Sequence, residues 1–564
     1  MAWYVADFET TTKNYYDKYG TTKVWLYAIC DENGNIVNQG KSIEEFIVWC
    51  KSNNKANIYF HNLKFDGSFI LNYLLRNGFH YVEKLRYKDS KGFSTLIGQE
   101  GQYYQITVNF ASCKQVKFFD SLKIIPLKVA QIAKAFNLPI QKLSIDYSKY
   151  DITQRTLNYV YNDVKIVAKG LKFFKDMNLD RMTIGSIAYN LFLKETPVAE
   201  KIFPVLDRDF LKKWRDAYRG GRTQVNPKYA NKKLFNVKRF DINSMYPYTM
   251  SRKPMPYGNP IKLAKQGTFK FELYEVDIWF KLKDGHLPTL LKNASMFNSG
   301  HDSYYYETDN IETILISNID LELVYRHYDI KYIEFKEMWG FKTVDFIFRP
   351  FIDKYYELKN NSTGGLKLLF KLIINNLYGK YGSKCEGKTK IPKLEDNILA
   401  FTDSEMQEMR LYYLPVAIAI TSHCHMMIDD AIMATGYDNF VYCDTDSVHT
   451  IGDLPKEMID NKEIGKFKFE GTEIMAKYVR QKCYVYRELN KKSHLYETHI
   501  TCAGMTDGIK EYLVDQYKYN VFNIFDVGLT VDENSHNIKE EQLKLRPMQV
   551  CGGTILTPTT FSLK

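Results

Sequence analysis

Tyr442-Cys443-Asp444-Thr445-Asp446-Ser447 constrains this chain more than any other stretch of it. The segment reads as the end of an apolar strand, a tight acidic turn and a returning strand, Val448-His449-Thr450-Ile451. Taken alone, Asp-Thr-Asp is a common solvated turn. Far upstream, however, Phe240-Asp241-Ile242-Asn243-Ser244-Met245-Tyr246-Pro247 follows an apolar and basic strand that ends in a third carboxylate. A hairpin tip bearing Asp444 and Asp446, set beside a strand ending in Asp241, can hold two Mg²⁺ ions. One would lower the pKa of an attacking hydroxyl, and the other would hold a triphosphate and its departing pyrophosphate.

Between these segments, the pattern predicts a helix from about Gly365 to Tyr378. Lys371, Asn375 and Tyr378 fall at i, i+4 and i+7 and form a polar stripe on an otherwise apolar helix. An amphipathic surface helix would explain Lys371. It would not explain polar and aromatic groups interrupting the apolar run at one angle. Lys371 can neutralise triphosphate charge, and Tyr378 can stack on a base pair.

A second constellation begins at the N-terminus. In Trp3–Glu9, a strand by composition, alternation puts Asp7 and Glu9 on one face. Carboxylates held that close repel unless a cation lies between them. Asp66 follows a second strand, in His61-Asn62-Leu63-Lys64-Phe65-Asp66. Tyr159 and Asp163 share a face of the helix expected from Thr153 to Lys175. Separately, these residues read as a strand edge, a helix cap and a salt bridge. Together they make a two-metal phosphodiesterase, with a phenol to orient water.

Composition is permissive. The chain has 564 residues, too many for one core, so several domains are expected. A net charge of +11 suits an anionic partner. Aromatic content of 15%, with 43 Tyr, fits base stacking or a Tyr-rich core equally well. Nine singly spaced cysteines without C-x-x-C suggest reduced thiols, not a disulfide framework or zinc site. His423-Cys424-His425 lacks a second ligand cluster and is expected to be structural. No apolar leader opens the sequence, and the longest apolar run, Leu414–Ile420, is too short for a bilayer. A soluble intracellular protein without membrane contact is expected.

Strand and helix signals alternate to about residue 180 and then become less regular. Two stretches interrupt the better patterned elements, 253–346 and 383–414. Near the C-terminal end, Gly552-Gly553 marks a strand–turn–strand.

In this order the segments resemble the motifs of family B DNA polymerases. Asp7-Phe8-Glu9-Thr10-Thr11, His61–Phe69 and Tyr159-x-x-x-Asp163 resemble the three motifs of their DEDD, RNase H-like proofreading exonuclease. Asp241–Pro247, Lys371-x-x-x-Asn375-x-x-Tyr378-Gly379 and Tyr442–Ser447 resemble polymerase motifs A, B and C. Tyr218-Arg219-Gly220-Gly221 is similar to the Y-x-G-G linker motif, and Lys482-Cys483-Tyr484 to the K-x-Y motif that steadies a primer end. The two interruptions and Ser317–Leu323 point to the protein-primed subgroup of phi-29-like phages. The match fades over 485–500 and 515–546.

The resemblance implies an α/β and α+β multidomain fold, an exonuclease followed by a right-hand polymerase with palm, fingers and thumb. The implied parts are exonuclease 1–183, palm 184–252 and 415–502, fingers 347–382 and thumb 503–564. The insertions correspond to TPR1 (253–346) and TPR2 (383–414). Asp7, Glu9, Asp66 and Asp163 would ligate the exonuclease metals, with Tyr159 and Lys142 assisting. Thr10, His61, Asn62, Phe65, Phe69, Ser121, Leu122 and Tyr147 would hold a frayed single-stranded 3′ end.

In the polymerase, Asp241 and Asp446 would be the principal ligands, with Asp444 beside them. Tyr246 would exclude a ribose 2′-OH. Met245, Lys359, Lys371, Asn375, Tyr378 and Gly379 would serve the nucleotide, and Tyr218, Gly220, Gly221, Lys482 and Tyr484 the primer-template. Two Mg²⁺ per site are implied, with Mn²⁺ as a substitute. The implied partners are dNTPs, primer-template DNA and a terminal protein acting as primer, in the cytoplasm of an infected bacterium. A nuclease whose second half only grips DNA would leave Asp241, Asp444 and Asp446 without work. A non-catalytic single-strand-binding protein would show no Mg²⁺-dependent chemistry, and Tyr246 disfavours an RNA polymerase.

Overall fold

The computed structural model describes residues 2–53, 55–111, 114–292 and 303–564; Cys113 and part of the first insertion lie outside the described residues. The N-terminal part is built on an eight-stranded sheet. Trp3–Thr10 lies inside it, antiparallel to Val24–Asp31 and parallel to Asn57–Phe60. Its alternation separates two cores. Val5 joins the cluster that includes Val160, Val164 and Leu171, whereas Ala6 and Phe8 join Phe46, Phe60 and Phe69. Asp7 and Glu9 therefore share the face of Val5, towards the helix Gln154–Asp176. Thr153 caps that helix by accepting the Thr156 N–H at 3.3 Å.

A second sheet carries the acidic hairpin. From one edge its strands run Tyr496–Cys502, Cys483–Leu489, Phe467–Arg480, Val237–Ile242, Ser447–Thr450, Phe440–Asp444 and Thr223–Val225, each antiparallel to the next. The expected juxtaposition follows from register, since Ser447 is paired both with Asp241 and with Asp444. The apolar run at Leu414 opens a largely buried helix, Leu414–Thr435. Among the described residues, no helix is long and apolar enough to cross a membrane. Helices Arg349–Asn360 and Gly364–Tyr381 pack together near the hairpin.

The first insertion is more regular than its sequence suggests. It forms a four-stranded antiparallel sheet in the order Met255–Lys262, Tyr328–Val344, Phe271–Leu282, Glu312–Ser317, with the helix Asn318–His327 attached. The second insertion contains the hairpin Lys390–Glu395/Ile398–Asp403. That hairpin reaches two distant regions. Thr389 bridges to Gly98, and Ile398 to Cys551. Cys551 in turn accepts the Thr22 N–H at 2.9 Å through its carbonyl. Cys551 and Gly552 form the loop of the C-terminal hairpin, Lys544–Val550/Gly553–Thr559.

Candidate active sites

A cavity of ≈ 710 Å³ opens beside the first strand, with Asp7, Glu9, Lys142, Tyr147, Tyr159 and Asp163 in its wall. Asp66 lies in the first turn of the helix Leu63–Arg76 and accepts the Phe8 N–H at 3.3 Å, which fastens it to the same strand. Burial and then the neighbouring Asp163 raise the Asp7 pKa to about 7. Burial likewise lifts Glu9 and Asp66 well above the carboxylate range, with Asp7 adding to both. Asp163 is raised by burial, which Lys142 opposes.

The Lys142 ammonium pairs with Asp163 and donates to the Tyr159 hydroxyl at 3.2 Å, while the Tyr147 and Tyr159 hydroxyls lie 2.7 Å apart. Asp163 Oδ1 is buried without a partner. An all-oxygen set of four carboxylates with one compensating lysine suits a hard divalent cation. Among the described residues, no three acidic, His or Cys groups are already gathered round one point.

The residues expected to hold a strand end divide into two groups. Thr10, His61 and Phe65 line the cavity. Ser121 and Phe69 are buried, so neither offers a free surface. The Ser121 hydroxyl donates to the Phe60 carbonyl at 3.0 Å and meets His61 Nδ1 at 2.9 Å, so it positions His61. The Phe69 ring fills the space where a Cβ on Gly553 would stand. Asn62 and Leu122 both donate backbone N–H groups to Asp120 Oδ1, at 3.1 and 3.0 Å. Sequence reasoning missed Asp120. It also missed Glu540, Glu541, Leu545 and Leu556, which bring the C-terminal region to the cavity wall.

At the second site, burial and then Asp446 raise the Asp241 pKa to about 7. Burial raises Asp446 as well. Asp444 differs from both. Lys482 Nζ contacts its two oxygens at 2.7 and 2.9 Å, and the Thr223 hydroxyl donates to it at 3.0 Å. Asp444 is thus already neutralised, which leaves Asp241 and Asp446 as the pair suited to divalent ions. Thr445, at the apex, has φ +60° and donates its N–H to the Arg222 carbonyl at 2.8 Å. A Cβ on Gly221 would lie 2.9 Å from Thr445 Cγ2, so this close approach needs glycine.

Tyr246 and Tyr378 stack with centroids 4.0 Å apart and planes 8° from parallel. Lys359 Nζ lies 3.4 Å from Ser244 Oγ. Burial, then Lys371 and Lys367, lowers the Lys359 pKa to about 8, as expected of a lysine awaiting an anion. Asn375 Oδ1 is buried and unpartnered, and nothing stands within 4 Å of where a Gly379 Cβ would be. The Met245 side chain, by contrast, belongs to the core and presents no ligand surface.

Tyr218 packs against Gly382, and the Gly220 carbonyl accepts from His425 Nε2 at 2.6 Å. His425 Nδ1 pairs with Asp320 at 2.8 Å, consistent with the structural role expected for the 423–425 run. Tyr484 stacks on Tyr478 at 5.0 Å.

The family described as DNA polymerase type B, organellar and viral, matches residues 49–149 and 146–464. Over 597 residues the chain is 35% identical to the DNA polymerase of Bacillus phage phi29, covering 100% of this chain and 99% of that protein. It is 31% identical over 600 residues to the DNA polymerase of Streptococcus phage Cp-1, covering 100% and 98%. Phi29 DNA polymerase complexed with primer-template DNA and incoming nucleotides superposes with a TM-score of 0.89, at 33% identity and full coverage of both chains. The same enzyme complexed with single-stranded DNA also gives 0.89, at 32% identity and full coverage of both chains.

Proposed function

This chain belongs to the type B DNA polymerases of organelles and viruses, and from that premise we propose that it copies a linear phage genome from a protein primer and edits the product itself. The observation that carries this reading is the presence, in one chain, of two separate carboxylate sites, each with its own lysine partners. Bound divalent ions would supply Lewis acidity at both sites, activating the attacking oxygen and stabilising the leaving one. Asp241 and Asp446 would hold them in the polymerase, and Asp7, Glu9, Asp66 and Asp163 in the exonuclease.

The remaining work falls to the protein's own groups. Lys359 and Lys371 neutralise the triphosphate. Tyr246, braced by the Tyr378 ring, blocks a ribose 2′-OH. Lys482 holds Asp444 at the primer end. In the exonuclease, Lys142 fixes Asp163 and Tyr159 together, and Tyr159 orients the attacking water. A side-chain hydroxyl of a terminal protein can replace the primer hydroxyl, because the reaction needs only an oxygen in line with the α-phosphate. The first insertion would dock that protein. The contacts of the second insertion with Gly98 and Cys551 favour enclosure of DNA, hence processive synthesis with strand displacement.

The test is a 5′-labelled primer-template with Mg²⁺, run with and without dNTPs on a sequencing gel. Extension with dNTPs and stepwise 3′ shortening without them are expected. Shortening alone would refute the polymerase assignment on this substrate, and extension alone the editing one. Deleting the hairpin within 383–414 should shorten products on a primed circle; unchanged length would refute enclosure.

A further inference from the structure

The turn bearing Asp444 and Asp446 is held by Lys482 at Asp444, by the Ile242 N–H, which donates to the Asp446 carbonyl at 2.7 Å, and by the neighbouring segment Gly221-Arg222-Thr223. The Arg222 carbonyl accepts the Thr445 N–H, and the Thr223 hydroxyl donates to Asp444. What fixes this segment is a buried ionic group. Arg222 is 2% exposed, and its Nη1 donates to Asp429 Oδ1 at 3.0 Å. Its Nε and Nη2 both donate to Gln224 Oε1, at 3.1 and 3.0 Å. Asp429, on the helix Leu414–Thr435, is fully buried.

The other oxygen of Asp429 faces the first insertion. His327, fully buried at the end of the helix Asn318–His327, donates from Nε2 to Asp429 Oδ2 at 3.0 Å. Its Nδ1 lies 3.0 Å from the Tyr437 hydroxyl, which can donate to it and so fix the tautomer. Tyr304, also of the first insertion, holds the same segment by a second route. Its hydroxyl accepts the Thr223 N–H at 3.0 Å and donates to the Thr223 carbonyl at 3.1 Å.

We propose that Asp429 is a positioning residue for nucleotide addition, carrying the first insertion's hold through His327 to Arg222 and so to the turn that presents Asp446. This rests on the reading of Asp241 and Asp446 as the metal-binding pair. A buried Arg–Asp pair is a poor source of net stability, because desolvation offsets most of its attraction. With one bond from Nη1 to Asp429 and two from Nε and Nη2 to Gln224, it is nonetheless a source of rigidity. A carboxylate that must meet a metal within a few tenths of an ångström depends on that rigidity. The first insertion therefore has a part in every addition step, apart from any part in priming.

The test compares Asp429→Asn, His327→Ala and His327→Gln in the full chain. Primer extension is measured across a Mg²⁺ titration, and strand shortening on single-stranded DNA in the same preparations. Asp429→Asn should raise the Mg²⁺ needed for half-maximal extension by roughly tenfold, the scale of losing a group that orients a metal ligand. Shortening and primer-template affinity should stay unchanged. His327→Ala should show a smaller shift, and His327→Gln, which keeps a donor for Asp429, should reverse most of it. If Asp429→Asn loses both activities through misfolding, the His327 pair decides. An unchanged Mg²⁺ dependence in His327→Ala, or equal shifts in the two His327 variants, would overturn the proposal. Asp446→Asn, run in parallel, tests the underlying reading separately: extension retained there would refute the metal assignment whatever Asp429 does.

Discussion

Asp7, Glu9, Asp66 and Asp163 stand on neighbouring elements of one packed unit, and their main outside support is Lys142. Asp241, Asp444 and Asp446 share a sheet, but their turn is held by Gly221, Arg222 and Lys482, and through Arg222 by the first insertion. The first arrangement draws its carboxylates and its lysine from the N-terminal part, with the C-terminal hairpin packed on Phe69 of the helix that carries Asp66. The second collects its support from across the chain. A locally built site should tolerate changes elsewhere, whereas a distributed one should register them.

The sharpest attempt to break that contrast removes one carboxylate from each site. Asp446→Asn should cut extension by roughly a thousandfold and leave strand shortening intact, and Asp7→Asn should do the reverse. A labelled-primer gel reads both, and loss of both activities in either variant would end the separation. Next in size is Gly221→Ala, whose new methyl would press on Thr445. Extension should fall by roughly ten- to a hundredfold without change in shortening. Single-turnover kinetics in rapid-quench format would measure it, and a normal rate would mean the turn yields freely.

Lys142→Met tests the local site. Without its ammonium, Asp163 and Tyr159 lose a common partner, so shortening should slow by roughly tenfold while extension stays unchanged. An unaffected rate would make Lys142 a bystander. The smallest effect concerns pH. Asp7 and Asp241 are both raised to about 7, chiefly by burial. Because a raised folded pKa favours the protonated fold, the metal-free protein loses this stabilisation as pH climbs through about 7. Mg²⁺ needs the ionised groups, so it should raise the melting temperature more at about pH 8 than at about pH 6. Equal increments would show that the carboxylates are ionised throughout.

The local geometry of both sites was legible in the sequence, because strand alternation placed Asp7 with Glu9 and the acidic turn announced its own hairpin. The long helix with Tyr159 and Asp163 was legible from its spacing. Family motifs supplied Lys142 and Lys482 as positions, but not the ion pairs they make. What stayed hidden depends on contacts with no local period. Asp120, Arg222 and Asp429 act on residues 58, 223 and 207 positions away, respectively, and look ordinary in their own segments. The burial of Phe69 and Ser121 follows from packing against elements distant in sequence, which a motif cannot report. The sheet of the first insertion was obscured by its long, bulged strands.

Around Cys551, four segments meet that are synthesised far apart. Thr22 donates to its carbonyl, Arg76 donates to its sulfur at 3.0 Å and to the Asn397 carbonyl at 3.2 Å, and Ile398 bridges to it. Residue 551 leaves the ribosome after the other three. However early the N-terminal sheet matures, this junction can form only once residue 551 has been made, and its large sequence separations make it a slow step. Until then a growing chain lacks the closed junction, and a protease or a chaperone would meet surfaces that the finished enzyme hides.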